Sequence, residues 1–401
     1  MTHEKKNYAM PLAFVGMMFF AIGFALGINS YLIPVLKGSL EISSGVSYFI
    51  IAVTFLPFLI FGYPASMTIK AMGYKRTMAL SFLMFAIAFG LFIPAAHQES
   101  FPLFLVACFI SGAANAYLQA SVNPYVTILG PLESAAKRIS IMGICNNLAW
   151  PVAPLFLTWI IGKNIKDTVI ADLFIPFYII IGVFILLGII SLLAPLPEVK
   201  AVGEDEDNAD ACPYAANKTS IFQFPHLLLG CLALFFYVGA ETVALSSLVD
   251  YATYLNLPYA DLYAWIAPIG LVIGYICGIV LIPRYLNQAT ALKICSVIAI
   301  LGSLLVVLVS DSLSIWFISL IALGCSLMWP ALWPLAMADL GKFTKAGSSL
   351  LIMAMAGPVI ILPLLGFLTD NYGMQNAYWI CLPCFIYILY YALTGHKIRT
   401  K

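Results

Sequence analysis

Apolar runs of about twenty residues, each long enough to cross a bilayer as a helix, follow one another along the whole chain. They fall near residues 11–36, 46–69, 77–96, 102–130, 139–162 and 173–197. A second set falls near 224–249, 262–283, 288–310, 312–338, 346–369 and 374–395. Between the sets lies a polar stretch from Glu198 to about Gln223, with the acidic cluster Glu204, Asp205, Glu206 and Asp207. The pattern predicts an all-α membrane protein with twelve transmembrane helices in two six-helix bundles. Residues 1–197 make the N-terminal bundle, 198–223 a cytoplasmic linker and 224–401 the C-terminal bundle. The polar Met1–Lys6 segment precedes an apolar run of about 26 residues, too long for a signal-peptide core, so that run is expected to be the first span.

Composition narrows the class. Of 401 residues 63% are hydrophobic and 9% charged, against roughly 25% charged in an average soluble domain. Too few charges are present to cover the surface of a soluble fold of this length. A cytoplasmic enzyme, a nucleic-acid binder and a disordered chain are thereby excluded. Most of the nine cysteines lie in apolar runs, with Cys212 alone in a polar loop, and are expected to pack as small hydrophobes. Cys381-Leu-Pro-Cys384 has redox-motif spacing, but its hydrophobic surroundings favour packing.

Charge placement tests the span count. With both termini cytoplasmic, the outer loops hold only Lys37, Lys163 and Lys166 of the nineteen basic residues. The other sixteen, among them Lys70, Lys75, Arg76, Lys137, Arg138, Arg284, Lys342 and Lys345, fall on the inner side. That asymmetry fits the positive-inside rule.

Polar groups in hydrocarbon are costly, so those inside spans are the candidates for function. Glu241, in the seventh span, is the single acid deep in a run. A carboxylate at a helix centre costs about 2.5–3.5 kcal/mol on insertion scales, so it should face water, pair, or stay protonated. A proton carrier and a neutral acid bonded between helices are both consistent with it. The fourth span carries Ser111, Asn115, Gln119 and Asn123 at four-residue spacing, on one helix face. Such a stripe can line a cavity for a polyhydroxyl ligand or glue helices together. Asn29-Ser30 in the first span and Asn146-Asn147 in the fifth extend the set. Trp329 and Trp333 flank Pro330 and Pro334 in the tenth, where an indole face could stack on a sugar ring or fill the core. Pro151, Pro154, Pro358 and Pro363 interrupt helices that could bend during gating. The four histidines lie near ends or in loops, which argues against a histidine relay, and no nucleophile–base or metal constellation of an enzyme is present.

The two halves look like copies. Phe19-Phe20, Gly23, Ser30 and Leu32 reappear 216 residues later as Phe235-Phe236, Gly239, Ser246 and Leu248. Leu129-Gly130 and Ile141-Met142 reappear 211 residues later as Leu340-Gly341 and Ile352-Met353. Two parallel, pseudo-symmetric six-helix repeats about an axis normal to the membrane resemble the major facilitator superfamily, in which substrate sits between the halves.

Several segments sharpen the resemblance. Asn123-Pro-Tyr-Val-Thr-Ile-Leu-Gly-Pro131, Tyr237-Val-Gly-Ala-Glu-Thr242, Leu340-Gly-Lys-Phe-Thr-Lys-Ala-Gly-Ser-Ser349 and Gly366-Phe-Leu-Thr-Asp370 are similar to segments of the fucose–galactose–glucose:proton symporter family. The similarity runs from about residue 15 to 390. Gly73-Tyr-Lys-Arg76 resembles a degraded form of the superfamily's basic loop between the second and third spans.

The resemblance implies a transporter moving a monosaccharide, a hexose or deoxyhexose, across a bacterial inner membrane by alternating access. It implies no cofactor, no metal, no nucleic-acid partner and a monomer in the bilayer. Asn146 matches the family's sugar-binding asparagine, and Trp329 matches its aromatic at the sugar site. The family's first-span Asn-Asp pair reads Asn29-Ser30 here, and its fourth-span glutamate reads Gln119. Where the family has a neutral seventh-span glutamine, this chain has Glu241. Both usual coupling acids are therefore neutral, and an acid stands across the cavity instead. Glu241 is expected to couple protons, with an uncoupled sugar facilitator, or a carrier of another polar solute such as an amino sugar or nucleoside, as the alternatives. The expected substrate-contacting set is Asn29, Ser30, Asn115, Gln119, Asn123, Asn146, Asn147, Glu241 and Trp329.

Overall fold

The computed structural model describes residues 9–128, 135–194, 213–216, 218–282, 285–309 and 311–400, and among these every regular element is helical. The first span is Ala9–Leu40. The second and third run together as Phe49–His97, but Gly73 sits at φ 81°, ψ 168°, so two helices meet there. A side chain would be strained at that φ, and the Thr77 hydroxyl donates to the Gly73 carbonyl at 2.8 Å to start the next helix. The polar turn expected between these spans is thus a single-residue hinge with helix on both sides. Counted with a division at Gly73, the long helices among the described residues number the expected twelve.

The fourth, fifth and sixth spans are Phe101–Ile128, Ala135–Ile161 and Phe174–Leu193. The seventh is Pro225–Ser246, extended after Ser247 by Leu248–Tyr254. Ile266–Leu281 and Gln288–Leu308 follow as the eighth and ninth. The tenth is split into Ile318–Cys325 and Met328–Met337, and the eleventh into Thr344–Ala354 and Pro358–Tyr372. Both breaks have one cause. Pro330 and Pro358 lack a backbone N–H, and each ring clashes with the carbonyl four residues back, at Ser326 and Ala354. Cys381–Leu393 forms the body of the twelfth. The acidic cluster 204–207, Cys212, Arg284 and the Leu129–Pro131 end of the fourth-span signature lie outside the described residues. Of the linker, the short helix Pro213–Ala216 and a 3-10 turn at Ile221–Gln223 are described.

Close backbone contacts hold each bundle together, and they repeat. A Cβ at Gly23 would overlap the Asn146 carbonyl, locking the first span against the fifth. A Cβ at Gly239 would sit 2.6 Å from Ile361 Cγ1 and 3.5 Å from the Gly357 carbonyl carbon, locking the seventh against the eleventh. Gly23 and Gly239 are 216 residues apart and Asn146 and Gly357 are 211 apart, which are the two offsets of the sequence repeat. Equivalent residues therefore touch in both halves. With no hydrophobic drive between helices in lipid, such small-residue seams supply much of the association through packing.

The bundles meet along two seams. The fifth span faces the eighth, and the second faces the eleventh. The outer surface is apolar: Trp159, Ile175, Tyr178, Leu186 and Leu193 are exposed, as expected of a face turned to acyl chains.

Candidate functional site

The fourth-span stripe points into the protein. Ser111 and Asn115 are buried, and Gln119 and Asn123 are half-buried. Gln119 Nε2 donates to Asn115 Oδ1 at 2.9 Å, so Asn115 orients the more accessible amide one turn on. This is a side-chain hydrogen bond between i and i+4 neighbours on one face.

The first-span pair is placed differently from the stripe. Asn29 is fully buried and its Nδ2 donates to Thr54 Oγ1 at 3.0 Å, between the first and second spans. Its Oδ1 is buried without a hydrogen-bond partner. Ser30 bonds back to the Leu26 carbonyl at 3.1 Å. Asn29 thus serves the helix contact with one end of its amide and leaves the other end unsatisfied. An orphaned buried acceptor is costly unless a ligand, water or second conformation meets it. Trp150 Nε1, on the fifth span, is a second buried group without a partner.

In the fifth span Asn146 Nδ2 reaches the Phe19 carbonyl at 3.3 Å, at the long end of the hydrogen-bond range. Asn147 Nδ2 donates to the Gly143 carbonyl at 3.0 Å. Across the seam, the ring of Tyr275, from the eighth span in the other bundle, packs on Gly143, where a Cβ would lie 2.8 Å from Tyr275 Cζ.

Glu241 is half-buried on the seventh span, among groups from three helices. The Tyr237 hydroxyl one turn earlier interacts with it, and Tyr275 and the Cys325 thiol lie within its electrostatic reach. Among the described residues Glu241 makes no salt bridge. Trp329 is half-buried beside the tenth-span break, with its ring 5.1 Å from that of Trp333.

Asn29, Asn115 and Asn147 are buried and Gln119, Asn123, Asn146 and Glu241 half-buried, so none of these polar groups is fully exposed. Two cavities accompany them. One of 390 Å³ lies between the first and fifth spans and is lined mostly by apolar groups, with Arg138 at its rim. One of 610 Å³ lies at the opposite end of the first span, beside Lys37 and Asp250. Neither is lined by Glu241, Gln119, Asn146 or Trp329.

Polar links across the bundles close the Lys37 end. Lys37 Nζ lies 2.9 Å from Asp250 Oδ1, and the Tyr48 hydroxyl donates to Asp250 Oδ2 at 3.1 Å. Asp370, at the end of the eleventh span, accepts from the backbone N–H of Ser44 at 2.9 Å and of Gly45 at 2.8 Å. Its carboxylate sits where the second span begins, the end at which unpaired N–H groups attract anions. These residues, with Tyr237 and Tyr275, are absent from the sequence-derived set. Asp250 and Asp370 lie near span ends, where acids are ordinary, and their partners are hundreds of positions away.

Among the described residues no group of three His, Cys, Asp or Glu side chains is placed to hold a metal ion. Cys381 and Cys384 are buried free thiols one helical turn apart.

Comparison with known proteins identifies the family and the fold. Residues 14–350 match the Major Facilitator Superfamily. A glucose/galactose transporter of Brucella abortus is 32% identical over 407 residues, covering 99% of this chain and 96% of that protein. The L-fucose-proton symporter of Escherichia coli is 25% identical over 422 residues, covering 99% and 96%. A crystal structure of the Escherichia coli fucose:proton symporter in the outward conformation superposes with a TM-score of 0.71 at 24% identity, over 97% of this chain and 99% of that one. At that identity the superposition speaks to the fold, while the sequence match decides the relationship. On these grounds this chain of twelve spans in two pseudo-symmetric bundles belongs to the Major Facilitator Superfamily.

Proposed function

We propose that the chain carries a monosaccharide, a hexose or deoxyhexose such as glucose, galactose or fucose, across a bacterial inner membrane by alternating access. Transport is coupled to protons through Glu241. The two bundles are the moving bodies, joined by the 198–223 linker, with both termini cytoplasmic. The names of the relatives supply the substrate class. The observation that carries the mechanism is the position of Glu241, an acid that makes no salt bridge among the described residues, one helical turn from Tyr237 and within electrostatic reach of Tyr275 at the seam between bundles.

Gln119, Asn123, Asn146 and Asn147 offer amides to sugar hydroxyls, and Asn115 holds Gln119 in place. Trp329 offers an indole face to the apolar side of the ring. Asn29 and Ser30 form the first-span wall, and the unsatisfied Asn29 Oδ1 is an acceptor ready for a hydroxyl. With the termini cytoplasmic, the Lys37–Asp250 and Asp370–Ser44 links lie on the outer side. They make this conformation one closed to the outside. Gln119 has no ionisable proton to give, so the fourth-span stripe carries no proton and Glu241, across the cavity, takes that role.

The reading is tested by counterflow of labelled glucose, galactose and fucose into proteoliposomes, with and without a pH gradient. Saturable counterflow of at least one sugar is expected, with accumulation when the outside is acidic. Saturable counterflow that no gradient drives uphill favours the facilitator. Uptake of an amino sugar or nucleoside, without any of the three sugars, shifts the substrate class.

A further inference from the structure

The end of the linker is built into the C-terminal bundle. The short helix Pro213–Ala216 packs on the Gly341–Phe343 turn between the tenth and eleventh spans, and Ala215 is 1% exposed. An aromatic cluster fastens it there. The Tyr214 ring lies 5.7 Å from that of Phe224 and 6.0 Å from that of His226, and Phe224 meets Phe343 edge to face at 5.4 Å. These are the separations of attractive aromatic pairs. Lys218 closes the cluster. Its ammonium stands 4.1 Å from the Tyr214 ring centre and 4.5 Å from that of Phe224, and it donates to the Gln223 carbonyl. The same place ties three spans together. His226 Nε2 lies 2.8 Å from the Ala338 carbonyl oxygen. A Cβ at Gly347 would overlap Leu340 and come within 3.6 Å of Leu227, and one at Gly230 would lie 2.7 Å from Ala336 Cβ. The start of the seventh span thus grips the inner halves of the tenth and eleventh, Met328–Met337 and Thr344–Ala354, which breaks separate from their outer halves. Trp329 stands in the first turn of the tenth span's inner half.

We infer that residues 213–224 are a strap belonging to the C-terminal bundle, closed by Lys218, that positions the inner half of the tenth span and with it the Trp329 indole. A half-helix beyond a proline break lacks part of the backbone hydrogen bonding that would fix it to its outer half. Its direction therefore depends on what holds its far end. Here the far end runs into the 338–343 segment, which is held at Ala338 by His226 and at Phe343 by Phe224. Tyr214 and Phe224 come from the two ends of a short stretch that is not one helix, and Lys218 is the group that lies over both rings. A cation above an aromatic face is attracted by the ring quadrupole, so one ammonium shared by two rings draws the ends of the strap together. The joint between the bundles is then shorter than the 198–223 stretch, because its last part moves with one body. The sugar side of this inference rests on the reading of Trp329 as the residue that meets the ring.

Two measurements on the full-length carrier test it. Trypsin cuts after Lys218 only when this stretch opens locally, so cleavage there should be roughly tenfold or more slower in the parent than in Tyr214→Ala. Equal rates overturn the strap. Counterflow of labelled glucose, galactose or fucose into proteoliposomes then tests the positioning. Lys218→Met is expected to raise the half-saturating sugar concentration about three- to fivefold, with the maximal rate within about twofold of the parent. Lys218→Arg keeps a cation over the rings and should restore the parent value. Parent affinity in Lys218→Met, or Lys218→Arg as weak as Lys218→Met, overturns the role of the cation. A fall in maximal rate with affinity unchanged assigns the strap to folding alone and overturns the positioning role. Trp329→Ala, measured beside them, separates this inference from the reading beneath it. Parent affinity in that variant takes Trp329 out of the sugar site, and the trypsin result still decides whether the strap exists.

Discussion

Lys37, in the last turn of the first span, places its ammonium 2.9 Å from the carboxylate of Asp250, 213 residues later, in the short helix that continues the seventh. The Asp250 side chain is 5% exposed and that of Lys37 27%. A carboxylate so enclosed depends on its partners, and the Tyr48 hydroxyl is the other one. The pair joins the bundles at one end and must break if that end opens. Lys37→Met leaves Asp250 short of a cation and is expected to be more damaging than Lys37→Met combined with Asp250→Asn. The coupling energy should be on the order of 1–2 kcal/mol, between exposed and fully buried pairs. A double-mutant cycle on thermal unfolding in detergent measures it, and additive effects would remove the pair from the closing contacts.

Asp370 makes a second link with different chemistry. Its carboxylate accepts two backbone N–H groups at the start of the second span. Asp370→Asn keeps the shape and loses the charge, at an expected cost of about 1 kcal/mol to the closed end. Spin labels placed across the Lys37 end should show a larger open fraction in Asp370→Asn than in the parent. An unchanged distance distribution would mean that the carboxylate does not hold the end shut.

The small-residue seams give a test of the fold itself. Gly23→Ala and Gly357→Ala each push a methyl into backbone of the neighbouring helix, Asn146 in one case and Phe235 in the other. Overpacking of this kind costs about 1–3 kcal/mol. Gly90 has open space at the Cβ position, and Gly90→Ala should be neutral or stabilising by up to about 1 kcal/mol. Melting temperatures of the three variants check this; a fall in Gly90→Ala equal to the others would contradict the packing described.

Much of this architecture is legible in the sequence, because bilayer thickness sets the length of each apolar run. The offset from Gly23 to Gly239 also marks a contact that exists twice. Details of the joints are less legible. The Lys70–Arg76 turn reads as a polar loop but is helix on both sides of Gly73, since one residue at positive φ suffices to reverse direction. Proline alone does not locate the breaks: Pro34, Pro57 and Pro334 lie inside continuous helices, whereas Pro330 and Pro358 sit in the first turn of the helix that follows a break. Among the polar residues, Gln119 and Glu241 announce themselves by being polar in an apolar run. Tyr275 does not, because a tyrosine in a span passes for an interface aromatic. Asp250 and Lys37 pass for loop charges. Pairings between bundles join positions more than a hundred residues apart, and no local spacing encodes them.

Affinity for sugar bears on the amide wall. Asn146 makes a long bond to the Phe19 carbonyl and is half-buried, so its amide can be redirected to a ligand at small cost. Asn146→Ala is expected to raise the half-saturating sugar concentration about three- to tenfold, the loss of one neutral hydrogen bond or a little more. Asn115→Ala acts at one remove by freeing Gln119, and should give a smaller rise. Concentration dependence of counterflow measures both. Equal affinity in Asn146→Ala and the parent would place the sugar elsewhere.

The most direct test of the account is accumulation of labelled sugar in proteoliposomes under an imposed pH gradient, by the parent and by Glu241→Gln. The account expects the parent to concentrate sugar when the outside is acidic and Glu241→Gln to lose at least nine-tenths of that accumulation, about tenfold or 1.4 kcal/mol of driving force. Equal accumulation by the two proteins would contradict it.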